Sequence, residues 1–543
     1  MLTSRNLFRW IDEPIDAEQP VRFASSDAEW RTFSYGQLAA RAASAASALH
    51  ELGIRRSAVV AIVAPQGPDF LASLFGVLRI GAIPLPIAPL RAFENARAYQ
   101  HHLCGIAEVT QPRMLLAPAA LAESVGVLAE RGIAIVTIES LVSGGGDAVA
   151  ASAAHDTDLA MLQCTSGSSG RVRAVRVSYG ALTANVEAIR RWLEWRDVDA
   201  AAFWIPPYHD MGLIGGVFAP LVSGCALWFL TPEQFVRRPL QYVDCFGRHA
   251  ARLTAIPAFG LDYICRRIRP QDLAGSDFSS VKGFIIGAEP IRPATLTRFA
   301  SLLEPFGLRS GTLLPAYGLA EATLAVTGLP LGKRWSTAVP TDGTTPVIGC
   351  GGPLGDVDVT IVDETGQPVS EGVVGQVVVR GTSISSGYLG GAAESKSTFT
   401  DRGLHTGDAG FVRDGQLFPL GRLGDSIKLR GRPLFAEALE GELRRLGHDG
   451  ERNAVLLGLS DGRPTVVWIT ENAQDPRAGL DALARMSEGA DLVAVVVRRG
   501  AIPRTSSGKP RRHVLWNAFV DNGLPGKVWS ARTSAASAAE DFV

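Results

Sequence analysis

The spacing of hydrophobic residues predicts short buried strands that alternate with helices in the first part of the chain. The apolar run AVVAIVA, residues 58–64, is typical of a buried parallel strand. A helical pattern over residues 69–78 follows it, and AIPLPIAP, residues 82–89, is the next strand or an extended loop. Strand, helix and strand within about thirty residues indicate a βαβ unit. MLLA near residue 114 and IAIVTI near residue 133 are further candidate strands.

The pattern changes between about residue 340 and residue 420. VDVTIVD, GQVVVRG and GQLFPLG are short strands separated by Gly and Asp turns, which predicts a β-rich subdomain. After Arg422 come the amphipathic helix AEALEGELRRLG and the strand ADLVAVVVRRG. We therefore predict an α/β protein whose large N-terminal domain, residues 1–421, combines two βαβ-type subdomains with the β-rich one. A small, mobile α+β domain, residues 422–543, follows, and its polar tail from about residue 530 is expected to be disordered.

Composition and charge narrow the class of protein. The chain has 543 residues, too many for one hydrophobic core, and its net charge is −1. Because no long-range field steers it to nucleic acid or to an acidic membrane, any anion must be held by a local site. The six cysteines include no C-x-x-C pair, which favours buried thiols over a zinc or redox site. The N-terminus lacks a signal-peptide core, and Arg79 interrupts the most apolar stretch, so we expect a cytoplasmic protein without a membrane span.

The strongest chemical signal is LQCTSGSSGRVRAVRVS, residues 162–178. Its small residues let backbone N–H groups approach an anion closely, and its hydroxyls add donors. Arg171 and Arg173 supply positive charge, so the segment is suited to hold a polyphosphate. It is not a Walker loop, because no G-K-[ST] follows at the required spacing. A flexible Ser/Gly linker is the alternative, and the flanking apolar strands argue against it.

Two further segments combine aromatic and ionisable residues. FWIPPYHDMGLIGG, residues 203–216, predicts a rigid loop with Gly-rich turns that carries His209 and Asp210, although a lone histidine is more often structural. LLPAYGLAEATLAV, residues 313–326, predicts an extended segment that enters a helix near Glu321. Tyr317 is able to stack on a flat ring and Glu321 to bind a hard cation. A core tyrosine and a solvated glutamate are the plain alternatives.

The last two segments lie in the C-terminal third of the chain. In GLHTGDAG, residues 403–410, the carboxylate of Asp408 suits a ribose diol, although a turn aspartate looks the same in isolation. GRLGDSIKLRGR follows it from residue 421. In IPRTSSGKPRR, residues 502–512, Lys509 on a Gly/Ser turn is able to bridge phosphate and carboxylate oxygens. A basic surface loop is the alternative there.

Together and in this order, the five segments resemble the superfamily of acyl-CoA synthetases, nonribosomal-peptide adenylation domains and luciferases, over roughly residues 20–515. LQCTSGSSG, WIPPYHDMGLIGG, GAEPIRP and YGLAEATL are most similar to the fatty acyl-AMP ligases. Those enzymes form an acyl-adenylate and pass the acyl group to the phosphopantetheine thiol of a carrier protein. The resemblance implies ATP and Mg²⁺ as cofactors and a carboxylic, mainly fatty, acid as substrate. The acceptor would be an acyl carrier protein, with coenzyme A as the alternative.

The resemblance also implies a role for each matching position. Lys509 would contact the α-phosphate and the substrate carboxylate, and His209 would line the acyl entrance. Glu321, joined by Thr165, would place Mg²⁺. The C-terminal domain would rotate about a hinge at Gly424. The nucleotide site would comprise Thr165, Ser166, Gly167, Ser168, Ser169, Gly170, Arg173, Gly287, Ala288, Glu289, Ala316, Tyr317, Gly318, Leu319, Asp408 and Arg422.

The sequence departs from the family pattern at several places, among them Pro433 where asparagine is common and Gln376 where glutamate is common. Val172 and Arg173 stand where proline and lysine are usual, and Gly424 stands where the hinge is usually aspartate or lysine. The chain is short between Thr323 and Gly349, where fatty acyl-AMP ligases carry an insertion linked to their failure to use coenzyme A. The short segment keeps coenzyme A open as the acceptor. The substituted positions also leave open a nucleotide-binding regulatory protein with weak catalysis.

Overall fold

The first third of the chain folds as the predicted alternation of strands and helices. The computed structural model describes residues 2–4, 6–13, 16–90, 96–143, 149–166, 172–341, 346–429, 432–448, 450–460, 462–471, 475–505, 508–521 and 523–532. The elements up to residue 192 are β1 (Pro20–Ala24), β2 (Trp30–Ser34), α1 (Tyr35–Glu51), β3 (Val59–Val63), α2 (Pro68–Arg79), β4 (Ile83–Ile87), α3 (Ala96–Thr110), β5 (Met114–Ala117), α4 (Ala122–Val125), β6 (Ala134–Thr137), α5 (Ile138–Ser143), β7 (Leu159–Ser166), β8 (Val172–Ser178) and α6 (Tyr179–Trp192).

Four of these strands form a parallel sheet in the order β4-β3-β5-β6. The apolar runs of β3, β4 and β5 are buried, as expected for parallel strands covered by helices, whereas the edge strand β6 is partly exposed. A capping box at Ser34 and Gln37 fixes the start of α1. The helix α1 approaches α2 so closely that a Cβ on Gly76 would lie 2.7 Å from Ala45, which requires glycine there. Strands β7 and β8 form an antiparallel hairpin beside this sheet.

The second βαβ-type subdomain contains the largest sheet of the described residues. Its elements are β9 (Ala200–Phe203), α7 (Ala219–Val222), β10 (Ala226–Phe229), α8 (Pro232–Arg237), α9 (Pro239–Gly247), β11 (Leu253–Pro257), α10 (Ala258–Arg267), β12 (Gly283–Gly287), α11 (Pro293–Leu303), β13 (Leu313–Gly318), β14 (Ala325–Gly328), β15 (Thr337–Ala338), β16 (Val347–Ile348) and β17 (Gly352–Pro353). Nine strands pair in the order β17-β14-β13-β12-β11-β9-β10-β1-β2. Strands β9 to β13 are parallel, so their carboxyl ends lie on one edge of the sheet, where ligand sites of α/β folds usually form.

Two local predictions for this subdomain are wrong. The Gly-rich turns expected after Asp210 are instead a π-helix, Met211–Phe218, that is buried throughout. A Cβ on Gly212 would lie 2.2 Å from the carbonyl oxygen of Pro206, so glycine provides close packing there and not a turn. The helix expected near Glu321 is a single 3₁₀ turn, Ala320–Ala322. The chain reverses at Thr323, which has φ of 68° and donates to the carbonyl of Ser383, and then returns as β14.

The remaining elements form the β-rich subdomain and the C-terminal domain. The first comprises β18 (Asp358–Val362), β19 (Gly375–Arg380), α12 (Ala392–Thr398), β20 (Phe399–Thr400), β21 (Gly403–Arg413) and β22 (Gln416–Arg422). The second comprises β23 (Ser426–Leu429), β24 (Arg432–Phe435), α13 (Ala436–Arg445), β25 (Asn453–Ser460), β26 (Arg463–Thr470), α14 (Arg477–Met486), β27 (Asp491–Val496), α15 (Arg512–Val520) and β28 (Lys527–Arg532). The predicted α/β fold class is confirmed.

The C-terminal domain has hydrophobic clusters of its own around Leu443, Trp468 and Leu515. Its tail was expected to be disordered from about residue 530, but β28 extends to Arg532 because it pairs with β27. Residues 533–543 lie outside the described part of the chain. None of the described helices is long and apolar enough to cross a bilayer. The six cysteines are free thiols.

Candidate active site

A cavity of about 2160 Å³ lies where the large sheet, the β-rich subdomain and the C-terminal domain meet. Residues from all three of these parts line it. The predicted site residues found in its wall are Thr165, Arg173, His209, Gly287, Ala288, Glu289, Ala316, Tyr317, Gly318, Leu319, Glu321, Asp408, Arg422 and Lys509. Ser166 ends strand β7, and the predicted loop positions Gly167, Ser168, Ser169 and Gly170 lie outside the described residues. Residues from sequence segments more than 300 positions apart therefore share one cavity.

Asp408 is the centre of a hydrogen-bonded group at one end of the cavity. The hydroxyl of Tyr317 donates to its Oδ2 at 2.5 Å, and Nε of Arg422 lies 2.8 Å from its Oδ1. The antiparallel register of β21 and β22 sets Asp408 directly opposite Arg422, which explains why the two side chains meet. Burial and the adjacent carboxylate raise the pKa of Tyr317 well above its usual value, so the phenol stays protonated. The group fixes the tyrosine ring and holds the Asp408 carboxyl group at the cavity wall.

Glu321 is held by a tyrosine that the sequence analysis did not identify. The hydroxyl of Tyr388 donates to its Oε1 at 2.7 Å. The guanidinium of Arg173, at the end of the predicted phosphate segment, lies 5.3 Å from the centroid of the Tyr388 ring. Burial, with a smaller effect of the Glu321 charge, raises the pKa of Tyr388. The phosphate segment and the candidate metal ligand are thus joined through one aromatic ring.

Lys509 reaches the cavity from a turn of the C-terminal domain. The Thr505 amide donates to the Lys509 carbonyl at 2.8 Å, and the Lys509 amide donates to Oγ1 of Thr505 at 3.1 Å. These two bonds close the turn and leave the ammonium group exposed toward the cavity. Burial raises the pKa of the Asp210 carboxyl to about 6, and the positive charge of Lys509 opposes that rise. Asp210 and Lys509 thus both line the cavity, although they come from different domains of the chain.

The segment after β12 forms a narrow wall of the cavity. A Cβ on Gly287 would lie 3.0 Å from the carbonyl oxygen of Ala316, so a larger residue would push β12 and β13 apart by a few tenths of an ångström. Ala288 has a left-handed φ of 67°. Glu289 also lines the cavity, but its carboxylate accepts the amide hydrogen of Phe259 in the first turn of α10. Glu289 therefore has two roles: it accepts a hydrogen bond from an otherwise unpaired amide at the start of α10, and it lines the cavity.

The predicted hinge lies beside a buried group of charges that the sequence analysis also did not identify. Arg512 lies 2.8 Å from Asp425, 3.1 Å from Glu437 and 3.0 Å from Glu440. Gly424 forms the middle of the 3₁₀ turn Leu423–Asp425, where a Cβ would meet nothing within 4 Å. Because Arg512 follows Lys509 by three positions, this ion cluster joins the lysine turn to the segment directly after the hinge.

Comparisons with known proteins identify the family and the fold. The family of AMP-binding enzymes matches residues 13–389. A putative acyl-CoA synthetase of Caulobacter vibrioides is 30% identical over 517 residues, which cover 90% of each chain. The medium-chain-fatty-acid–acyl-carrier-protein ligase JamA of Moorena producens is 28% identical over 559 residues, which cover 94% of each chain. A solved structure from studies of fatty acyl-adenylate ligases of E. coli and L. pneumophila gives a TM-score of 0.87 at 25% identity and covers 95% of this chain and 98% of its own.

The match of the family model to residues 13–389 and the fold shared with the fatty acyl-adenylate ligase structure define an adenylate-forming enzyme. The chain belongs to the family of AMP-binding enzymes. The resemblance to fatty acyl-AMP ligases that the motifs indicated is confirmed.

Proposed function

We propose that the chain activates a fatty acid as its acyl-adenylate and then transfers the acyl group to the phosphopantetheine thiol of an acyl carrier protein. The observation that carries this proposal is the convergence of Lys509, Glu321 and Asp408 on one cavity. These residues lie far apart in the sequence, and a single nucleotide with its acid substrate would engage all three. The acid-activating relatives support the same reaction class.

The wall of the cavity supports an apolar acid. Beyond the ionisable residues it is lined by apolar side chains that include Trp204, Ile205 and Ile285. Trp204 stacks on Phe235 with ring centroids 4.0 Å apart, which fixes its orientation. A hydrocarbon chain gains free energy when such a surface removes it from water, at about 0.8 kcal/mol for each buried CH₂ group.

The first step joins two anions and needs no covalent nucleophile. A carboxylate oxygen of the acid attacks the α-phosphorus of ATP, and an O–P bond forms. The bond from the α-phosphorus to the bridging oxygen breaks, and pyrophosphate leaves with the electron pair. Lys509 would neutralise charge on the transferred phosphoryl group and orient the carboxylate, which are the two contributions that this reaction requires from a protein.

The nucleotide would be held by the residues around Asp408. The carboxylate of Asp408, oriented by Arg422, would accept hydrogen bonds from the ribose hydroxyls. The ring of Tyr317, fixed through its hydroxyl, would stack on adenine opposite Gly287. Thr165 and Arg173 would contact the phosphates.

Glu321 would bind Mg²⁺ together with substrate phosphates. In the described residues no group of three or more His, Cys, Asp or Glu side chains is arranged to hold a metal ion. Mg²⁺ does not need such a group, because it keeps several waters and is usually bound through one or two carboxylates and the phosphates of its nucleotide. The metal would neutralise phosphate charge, while Tyr388 orients the carboxylate.

The second step transfers the acyl group to a thiol. The thiolate attacks the acyl carbonyl, a C–S bond forms, the C–O bond to phosphate breaks and AMP leaves. The carrier protein is our first choice because the motifs are most similar to fatty acyl-AMP ligases and a relative is named as a carrier-protein ligase. Coenzyme A is the second candidate, favoured by the short segment between Thr323 and Gly349 and by the relative named as an acyl-CoA synthetase.

ATP–pyrophosphate exchange with a panel of carboxylic acids tests the first step. We expect exchange with fatty acids, and a loss of at least about 10²-fold in Lys509→Ala because one preorganised donor is removed. Lys333→Ala, an exposed lysine outside the cavity, is the control and should keep the wild-type rate. Absence of exchange with every acid would favour a regulatory nucleotide-binding protein. Preformed acyl-adenylate offered in turn to holo carrier protein and to coenzyme A then identifies the acceptor.

A further inference from the structure

Four arginines lie together on the surface next to one rim of the cavity, and we name them the arginine shelf. Arg237 and Arg238 are at the carboxyl end of α8, and Arg266 and Arg267 are at the carboxyl end of α10. All four line a shallow depression of about 700 Å³. Arg237 and Arg266 also line the main cavity, so the shelf continues into it.

Within the described residues little of the shelf's charge is neutralised, since Asp27 interacts electrostatically with Arg238 but forms no ion pair with it. None of its four guanidinium groups forms an ion pair with a carboxylate of the described residues, although the chain has 54 acidic residues. The two aspartates of the depression are already paired with other arginines, Asp244 with Arg248 and Asp272 with Arg269. A cation at the carboxyl end of a helix is stabilised by the helix dipole, which offsets part of the cost of leaving these arginines without carboxylate partners.

Apolar side chains are exposed beside the shelf. Val236 in α8 is 48% exposed and Phe259 in α10 is 38% exposed, and both line the cavity at the same rim. The hydroxyl of Tyr263 donates to the carbonyl of Val236 at 2.6 Å, which fixes the two helices relative to each other. The guanidinium of Arg267 lies 5.8 Å from the centroid of the Tyr263 ring. The helices thus form a preorganised surface with an apolar centre and a basic margin, which is a typical anatomy of a protein interface.

We propose that the arginine shelf, with Val236 and Phe259, docks an acidic face of the holo acyl carrier protein so that its phosphopantetheine arm enters the cavity at this rim. The inference rests on the proposed function, because it requires that the acceptor is a carrier protein. Complementary charge steers such an encounter and orients it, and the apolar centre supplies contact area once the surfaces meet. The shelf spans two helices, which fits the face of a folded partner better than a single phosphate group.

Charge reversal away from the main cavity tests the docking surface. Arg238→Glu with Arg267→Glu changes the two shelf residues that do not line the main cavity. Arg113→Glu with Arg309→Glu makes the same charge change on exposed arginines elsewhere in the large domain and is the matched control. Arg238→Lys with Arg267→Lys retains the charge. Each full-length variant is assayed for ATP–pyrophosphate exchange and for acyl transfer to the holo acyl carrier protein of fatty-acid synthesis and to free pantetheine.

We expect the shelf reversal to raise KM for the carrier protein at least about tenfold, because attraction between complementary surfaces becomes repulsion. Exchange and transfer to pantetheine should stay within about twofold of wild type, since neither needs a protein partner, and the lysine variant should retain most carrier transfer. Added salt should raise the KM of the wild-type protein for the carrier, because it screens the attraction between the two surfaces. It should change the KM of the reversed variant less.

The outcomes separate this inference from the proposed function. If wild type transfers to the carrier and the shelf reversal does not change KM, or changes it no more than the control pair does, the docking surface is refuted and the function stands. If wild type adenylates an acid but transfers it only to coenzyme A, the docking surface is refuted together with the choice of acceptor. If wild type exchanges pyrophosphate with no acid, adenylation itself is refuted.

Discussion

Glu321 is oriented by Tyr388, a residue 67 positions further along the chain, and this contact predicts how the protein depends on Mg²⁺. Tyr388→Phe keeps the ring but removes the donor to the carboxylate, so Glu321, the proposed Mg²⁺ ligand, would lose its orientation. Partners of this kind typically contribute about 10- to 100-fold to metal affinity or activity. We therefore expect the Mg²⁺ concentration for half-maximal pyrophosphate exchange to rise at least about tenfold, measured by titration of the ion at saturating ATP.

A second buried tyrosine provides the control for that measurement. The hydroxyl of Tyr35 donates to the carbonyl of Cys225 at 2.9 Å, away from the cavity. Tyr35→Phe therefore loses a buried hydrogen bond and some stability without touching Glu321. Its Mg²⁺ titration should coincide with that of wild type. Coincidence of the Tyr388→Phe curve with the wild-type curve would show that the tyrosine does not orient the ligand.

Sequence analysis identified residues with a chemically distinctive neighbourhood and missed those defined by contacts alone. Asp408, Glu321 and Lys509 stand in motifs, and the structure brings them to one cavity. Tyr388 stands in the motif-poor stretch SGYLG, and only the fold brings its hydroxyl to Glu321. Arg512 belongs to a run of basic residues that look alike in the sequence. Only its three carboxylate partners in the fold set it apart from its neighbours. Long-range contacts of this kind leave no periodic signal.

At the scale of elements, the ion cluster of Arg512 predicts a pH dependence of stability. Glu437 faces Arg512, Glu440 and Asp425, and burial outweighs the attraction of the arginine, so its pKa rises from the ordinary value to about 7. A carboxyl with a raised pKa in the folded state contributes stability that is complete below its unfolded pKa and is lost as pH rises through the folded value. The C-terminal domain should therefore lose stability between about pH 4.5 and pH 7 through this group.

Glu437→Gln keeps the shape of the side chain and removes its titration. Relative to wild type, the variant should gain about 3 kcal/mol of stability between pH 5 and pH 8, from the size of the pKa shift. Urea unfolding of the full chain, followed by hydrogen exchange in the C-terminal domain, measures this difference. Glu442→Gln on the same helix is the control, because the pKa of Glu442 is lowered by its exposed pair with Arg445. An unchanged pH profile in Glu437→Gln would contradict the assignment.

Whole elements were predictable where their pattern is local. The strands β3, β5 and β19 were predictable because an unbroken or alternating run of apolar residues is enough to indicate a strand. The π-helix after Asp210 was not predictable, because Gly212 signals a turn in sequence but packs against Pro206 in the fold. The turn at Glu321 was missed for a similar reason, since the reversal depends on the bond of Thr323 to Ser383, 60 residues away. Tertiary contacts override local propensity at both places.

At the scale of the molecule, the ion cluster would couple the proposed hinge at Gly424 to Lys509. All four of its residues follow Gly424 in the chain, so they would move as one unit if the C-terminal domain rotates. Because Arg512 is three positions from Lys509, a rotation at the hinge would carry the lysine with it. We infer that the domain alternates between an arrangement with Lys509 in the cavity, as observed, and one that admits the thiol.

Gly424→Pro tests this motion because proline fixes φ and restricts the preceding residue as well. Adenylation uses the arrangement already observed, so pyrophosphate exchange should fall less than about threefold, whereas thioester formation, which needs the second arrangement, should fall at least about tenfold. Gly424→Ala is the matched control, since a Cβ at this position meets nothing within 4 Å, and it should retain both activities. Equal losses in the two half-reactions of the proline variant would mean that the change damages the observed arrangement itself. In that case the thiol would have to reach the acyl-adenylate without rotation at residue 424.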